Sequence, residues 1–363
     1  MELYRPSEHE PLADATWDEE RARRGIAEIV ADAERLDWPV HPQDADGWVP
    51  VDAVSLYLGA AGMAWALHRL DSRLDVRPLV DRALGWWAQS DESDPGLLAG
   101  ESGLLLVAHV LGCAAADDDR LRARIRANAR NETWELLWGS PGTMLAARAI
   151  GDDDGWRESA ELLWAEWDTG TGFWTQHING RARQIVGVAH GFAGNVHAVR
   201  GFRPDDELRA RVAPALESSV LRDDGLANWP PVAGPAEPDK IRVQWCHGAP
   251  GIVAAIGDLM PEELALAGGE LTWRAGPIAR GPGLCHGTAG NGYAFLKLHA
   301  LTGDELWLER ARRFAMHALL QVERGRSEVG HGRYSLFTGD VGAALYVRSC
   351  LDADPRFPVL DVV

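Results

Sequence analysis

The sequence predicts an all-α fold of seven helical pairs, on three observations. A G-x-x-G followed by an apolar stretch rich in Ala and Leu occurs seven times, with first glycines at Gly59, Gly100, Gly139, Gly191, Gly248, Gly287 and Gly339. The steps between them are 41, 39, 52, 57, 39 and 52 residues, in the range of helical-pair arrays whose single repeats cannot bury their own faces. Charged amphipathic segments alternate with these stretches, and no segment sustains the two-residue alternation of a half-buried strand.

Taken in order, the segment DEERARRGIAEIVADAERL opens the chain's first pair. It puts Ile26, Ile29, Val30, Ala33 and Leu36 on one helical face, with Arg and Glu opposite. GAAGMAWAL follows at Gly59, small and nearly uncharged, as a helix buried on all sides would be. DVRPLVDRALGWWAQ precedes GESGLLLVA, and DDRLRARIRANAR precedes GSPGTMLAA. GWRESAELLWAEW leads to GFAGNVHAV, then DELRARVAPALESSVL to GAPGIVAAI. PEELALAGGELTW and GTAGNGYAFL form the sixth pair, DELWLERARRFAMHALLQVER and GDVGAALYV the seventh. The charged helices read as an outer, solvated layer and the glycine-led ones as an inner, doubly buried layer. Glycines at a fixed helix start serve tight turns and close packing. Spacing alone leaves open whether the array closes on itself.

The bulk composition narrows the function. The chain has 363 residues, 46% of them apolar, which is enough for a large core. Its net charge of −18, with Lys240 and Lys297 the only lysines, argues against nucleic acid or an anionic membrane as partner. The first 30 residues are too charged for a signal peptide. The longest apolar run, GLLLVAHVLGCAAA, carries His109 and is short of a membrane span. Cys113, Cys246, Cys285 and Cys350 are too few for a disulfide framework, so a reducing cytoplasm is expected, where clustered cysteines hold metal.

Aligning the repeats on their first glycine brings the reactive residues into register. The residue just before it is histidine in three consecutive repeats, His190, His247 and His286, and one place further back stand Cys246 and Cys285. If the inner helices all start at one end of the molecule, these side chains gather on one face. Two thiolates and an imidazole suit zinc, and Cys246, Cys285 and His286 would leave a fourth tetrahedral position open, as in catalytic sites. A ligand set with His247 in place of His286 has the same register, and spacing does not separate the two. Cys113 and Cys350 lie outside the register and read as small buried hydrophobes.

The motifs VQWCHGAPGI, GPGLCHGTAGNGYAFL, GVAHGFAGN and SLFTGDVGAALY resemble those of the LanC lanthionine cyclase and LanC-like family. The resemblance covers nearly the whole chain, down to the terminal PRFP, and so implies one domain over residues 1–363. The W-C-H-G-A-P-G motif is closer to the stand-alone LanC-like proteins than to the cyclases of lantibiotic pathways. The family fold is a double-layered α/α toroid of seven inner and seven outer helices. The resemblance implies one zinc ion per chain on Cys246, Cys285 and His286.

The family reaction adds a cysteine or glutathione thiolate to Cβ of dehydroalanine or dehydrobutyrine in a peptide or protein, giving a thioether. Two thiolate ligands make zinc a mild Lewis acid that leaves an incoming sulfur electron-rich, which suits such an addition. His190 matches the family's catalytic histidine and is the candidate acid for protonating Cα; a hydrogen-bonder at a helix start is the plainer alternative. Glu135, four residues before Gly139, is assigned proton shuttling or the orientation of His190, against a helix-cap carboxylate. Arg242 matches an arginine that supports the enolate. Arg280, where LanC-like proteins tend to carry lysine, could hold a peptide or glutathione carboxylate or simply be solvated. His247 is expected beside the ligands as a supporting group. The motifs favour glutathione addition over lantibiotic ring closure. Zinc-dependent prenyl or terpenoid-type thiol alkylation, and a non-catalytic zinc- or glutathione-binding protein, are the other readings.

Overall fold

The computed structural model describes residues 3–363, which contain fourteen α-helices. The outer helices are α1 (Glu19–Ala33), α3 (Arg77–Trp87), α5 (Asp118–Asn128), α7 (Asp153–Ala165), α9 (Asp205–Ser219), α11 (Glu262–Ala275) and α13 (Glu305–Val329). The inner ones are α2 (Ala60–Arg69), α4 (Glu101–Leu111), α6 (Ser140–Ala149), α8 (Phe192–Ala198), α10 (Ala249–Ile256), α12 (Thr288–Thr302) and α14 (Asp340–Asp352). Each inner helix packs on the next, and α14 packs on α2, so the array closes into a double-layered ring. The first outer helix, α1, lies against the last inner one, α14.

Local sequence explains the two layers. Four outer helices start at an aspartate cap: Asp18, Asp117, Asp152 and Asp304 accept from backbone N–H groups of their own first turns. Inner helices instead start at the first glycine of each G-x-x-G. The second glycine lies against a backbone carbonyl of the preceding turn: a Cβ on Gly290 would collide with Leu284 O, and one on Gly251 with Trp245 O. Only glycine lets the helix start so close to its own approach loop.

These approach loops form a belt of backbone hydrogen bonds round one mouth of the ring. Cys246 N donates to Cys285 O (3.1 Å), Cys285 N to Phe337 O (2.8 Å) and Phe337 N to Tyr57 O (3.2 Å). Tyr57 N donates to Leu98 O (2.9 Å), Leu98 N to Leu137 O (3.2 Å) and Leu136 N to Ala189 O (3.1 Å). Gly187, two residues before Ala189, comes back against Cys246 O too closely for any side chain. All the inner helices therefore begin at the same mouth.

The two longer steps in the middle of the array contain short antiparallel hairpins, which the sequence reading had not expected. Strand β1 (Gln176–Ile178) pairs with β2 (Arg181–Arg183), and β3 (Leu221–Asp223) with β4 (Leu226–Asn228). Their turns, Asn179-Gly180 and Asp224-Gly225, have positive φ at both residues, as two-residue hairpin loops require. The last long step is taken up by the 25 residues of α13.

Both chain ends tie into the ring. Near the amino end, Glu10 N donates to Pro277 O (2.9 Å) and Ala279 N to Glu8 O (3.0 Å), fastening the loop that leads to Cys285. At the other end Phe357 stacks on Trp245 at 4.4 Å and packs against Tyr293 at 4.8 Å, while Leu360 O meets His197 Nε2 at 3.2 Å at the last turn of α8. The tail thus reaches the inner helices α8 and α12 and the turn before α10. No described helix is long and apolar enough to cross a membrane.

Candidate metal centre and the histidines around it

The belt places Cys246 and Cys285 side by side, each on a turn held from outside. Asn228, buried at the end of β4, accepts from Ala249 N (2.8 Å) and donates to Arg242 O (3.0 Å), bracketing the first turn. Asn291 of α12 donates to Val243 O (2.8 Å) on the same loop. Gly248, with φ of 111°, takes a backbone conformation open to few other residues as the chain enters α10. The helices α10 and α12 start within three residues of the two thiols, and their positive ends favour thiolate over thiol.

The ligand atoms of Cys246, Cys285 and His286 lie within 4.8 Å of one another. Both cysteines are buried, and His286 Nε2 is a buried nitrogen without a hydrogen-bond partner among the described residues. An orphaned imidazole nitrogen beside two thiols fits the donor set and span of a tetrahedral zinc site. Without an ion, the Cys246 thiol beside Cys285, with His286 and Tyr57 adding to it, holds Cys285 well below its ordinary pKa against the effect of burial. Cys246 is correspondingly pushed up, by the Cys285 sulfur beside it and by burial. His247 is not in the cluster, so the geometry favours His286 where spacing left both open.

His190, half-buried, stands next along the mouth. Its ring stacks on Trp138 at 5.6 Å and on His247 at 6.0 Å. Its Nδ1 meets Glu135 Oε2 at 2.9 Å. Glu135 is fully buried and accepts from Leu137 N (2.9 Å), Trp138 N (2.6 Å) and Gly139 N (3.0 Å). The two sequence readings of Glu135, helix-start carboxylate and partner of His190, are thus realised together. Trp134, just before it, has φ of 41°, a strained value for a bulky residue. Burial lowers the pKa of His190, but the bond to Glu135 and its charge outweigh this and raise it above 6.5. Burial, with His190 and Arg242 nearby, lowers that of His247 to about 4, so His247 is neutral near pH 7.

The arginines are placed differently. Arg242 Nη1 donates to Asp239 O (2.8 Å) and Ile241 O (3.0 Å), and its Nε is 3.5 Å from Glu8, so its guanidinium turns to its own loop and the amino-terminal segment. Arg280 is exposed on the loop before Cys285 and lines a cavity of about 170 Å3 with Arg324, Arg326 and Arg333. Cys113 and Cys350 are free, buried and remote from the cluster; burial pushes their thiols up to about 11 and about 12.

Tyr57 was missed by the sequence reading. It holds in the first repeat the place that Cys246 and Cys285 hold in theirs, two residues before the first glycine, and it is among the groups that lower the pKa of the Cys285 thiol. The register that found the cysteines would have found it. Trp138, in register with the three histidines, was passed over in the same way.

Comparison with known proteins agrees with this architecture. Nisin cyclase has a similar fold, with a TM-score of 0.60 over 91% of this chain and 94% of its own, at 15% identity. Glutathione S-transferase LANCL1 of Danio rerio is 31% identical over 192 residues, 49% of this chain and 46% of the relative. LanC-like protein GCL1 of Arabidopsis thaliana is 33% identical over 241 residues, 62% of this chain and 51% of the relative. The chain spans about half the length of these curated relatives. Residues 50–362 match the family described as Lanthionine synthetase C-like protein, and the chain belongs to that family.

Proposed function

We propose that this protein is a zinc enzyme that joins a thiol to a dehydroamino acid in a peptide or protein, with glutathione as the favoured thiol. One observation carries the reading: a Cys2His cluster shares the mouth of the ring with a histidine hydrogen-bonded to a buried carboxylate. Cys246, Cys285 and His286 would hold one zinc per chain, whose charge would favour the thiolate form of an incoming thiol.

The chain's own residues divide the remaining work. Thiolate addition to Cβ of dehydroalanine leaves an enolate that takes a proton at Cα. His190 is the acid for that step: Glu135 on its Nδ1 leaves Nε2 to carry the proton toward the mouth and favours the charged ring. The stack with Trp138 and His247 fixes the plane of the imidazole. His247, neutral, can hydrogen-bond a reactant without competing for the proton. Arg242 lends positive charge to this side of the mouth, close enough to act on His247. The single-domain reading over 1–363 and the cytoplasmic location belong to this proposal, the latter supported by four free cysteines.

Glutathione is favoured because Arg280, exposed on the loop before Cys285, offers a donor to a thiol that carries carboxylates. The relative from Danio rerio bears the name of a glutathione S-transferase. The test is incubation of the zinc-loaded protein with glutathione and a dehydroalanine peptide, read by mass spectrometry. A protein-dependent glutathione adduct is expected. Zinc content without an adduct would leave a binding protein in place of an enzyme, and an adduct formed only from a cysteine inside the peptide would move the assignment to ring closure.

A further inference from the structure

A chelating site whose two thiols sit on separate loops depends on how firmly those loops are held together before an ion arrives. Cys246 and Cys285 stand 39 residues apart in the chain, and the belt joins their turns through Cys246 N and Cys285 O at 3.1 Å. A second tie lies outside the belt. The amino-terminal stretch 3–13 is a strap that reaches both loops.

On the Cys246 side, Leu3 O accepts from Asn228 Nδ2 (2.7 Å), the same amide that donates to Arg242 O. Arg5 Nη1 donates to Asp239 O (3.1 Å), and Glu8 Oε1 lies 3.0 Å from Arg5 and 3.5 Å from Arg242 Nε. On the Cys285 side, Glu8 O accepts from Ala279 N at 3.0 Å. His9 Nδ1 donates to Gly276 O, and Glu10 N to Pro277 O, both at 2.9 Å. Glu8 thus meets one loop with its side chain and the other with its backbone.

Glu10 fastens the strap to the outer helix α13. Its Oε1 accepts from His317 Nε2 (2.7 Å), Gln321 Nε2 (2.8 Å) and Arg324 Nη2 (2.8 Å), and its Oε2 from Arg324 Nη2 at 2.9 Å. Ala13 N donates to His317 Nδ1 at 3.0 Å, so the ring proton sits on Nε2 and faces the carboxylate. Gln321 Nε2 also donates to Ile278 O (2.8 Å), within the Cys285 loop. One carboxylate therefore gathers three side chains of α13, and one of the three holds that loop directly.

We propose that the strap braces the metal centre and that Glu10 is its positioning residue: by anchoring the strap on α13, it holds the Cys246 and Cys285 loops at one separation. The proposal rests on the zinc reading above. Ordering two loops ahead of the ion removes an entropic cost from binding. Groups that orient ligands without touching the metal typically contribute about 10- to 100-fold in affinity. A brace that works through loop backbone belongs at the lower end.

The test compares full-length wild type with Glu10→Ala and Arg324→Gln. Arg324 is half-exposed, so its variant tests the brace even if Glu10→Ala fails to fold. Zinc affinity is measured by competition with a chromophoric chelator. Hydrogen exchange of the metal-free proteins is read by mass spectrometry over residues 239–246 and 276–285. Both variants are expected to bind one zinc per chain, with affinity lowered roughly tenfold in Glu10→Ala and less in Arg324→Gln, and with faster exchange in both cysteine loops. A role in tethering the amino end alone would speed exchange in the strap and leave the two loops and the affinity unmoved. Unchanged affinity in the folded variants, or faster exchange confined to the strap, would overturn the proposal and leave the zinc reading intact. Wild-type protein that takes up no zinc would overturn that reading, while the exchange of the two loops would still decide whether the strap braces them.

Discussion

His190 and Glu135 share a 2.9 Å hydrogen bond although 55 residues separate them in the chain. The bond joins the third and fourth repeats at the mouth, and the same carboxylate receives three backbone N–H groups at the approach to α6. The group that raises the proton affinity of His190 is therefore also a structural pin.

Glu135→Gln separates these roles. The amide keeps an acceptor for the backbone but loses the charge, so the pKa of His190 should fall from its raised position. A proton donor works below its pKa, so the alkaline fall of activity should move to lower pH in the variant. The sign for stability is the same: a histidine raised above 6.5 on folding contributes stability below that value, and the contribution is lost as pH rises through the folded pKa. The His190 ring titration followed by NMR, beside a pH–rate profile, checks both. An unmoved titration would show that the carboxylate does not govern the imidazole.

His190→Asn should keep the metal and lose about 10²- to 10⁴-fold in rate, the usual worth of a positioned acid. Metal analysis beside adduct formation decides it, and undiminished turnover would remove His190 from the chemistry.

Cys285→Ala should abolish metal binding, since removing one of three protein ligands leaves no adequate set. His286→Asn should weaken it severely, and His247→Asn should leave the stoichiometry at one per chain, because His247 stands outside the cluster. Metal content of the purified variants gives the answer. The reverse pattern for the two histidines would exchange their roles.

Gly290→Ala tests the packing that aims Cys285. The new Cβ would meet the carbonyl of Leu284, a backbone atom tied into the belt through Leu284 N and Phe337 O at 2.8 Å. A cost of about 3 kcal/mol is expected, at the upper end for overpacking, read from denaturant unfolding. A neutral result would mean that the turn can relax.

Much of this molecule was legible in its sequence, for identifiable reasons. A repeat that must bury one face against its neighbours writes its period into the chain, so the glycine-led and charged segments gave both layers. Register then placed Cys246, Cys285 and His286 at one mouth, because the belt fixes the same backbone position in every repeat. Closure was not legible: it depends on α14 meeting α2, a contact with no local signature. The hairpins were legible and overlooked, since Asn179-Gly180 and Asp224-Gly225 are the turn pairs such loops demand. Tyr57 was hidden by looking for thiols and imidazoles only. The direction of Arg242 was beyond reach, because spacing fixes where a residue sits and not which carbonyls its side chain finds.

The carboxy-terminal tail lays Phe357 on Trp245, the neighbour of Cys246, and so ties the far end of the chain to a turn that carries one of the clustered thiols. Loosening that stack would loosen the seat of a sulfur more than a hundred residues away in the chain.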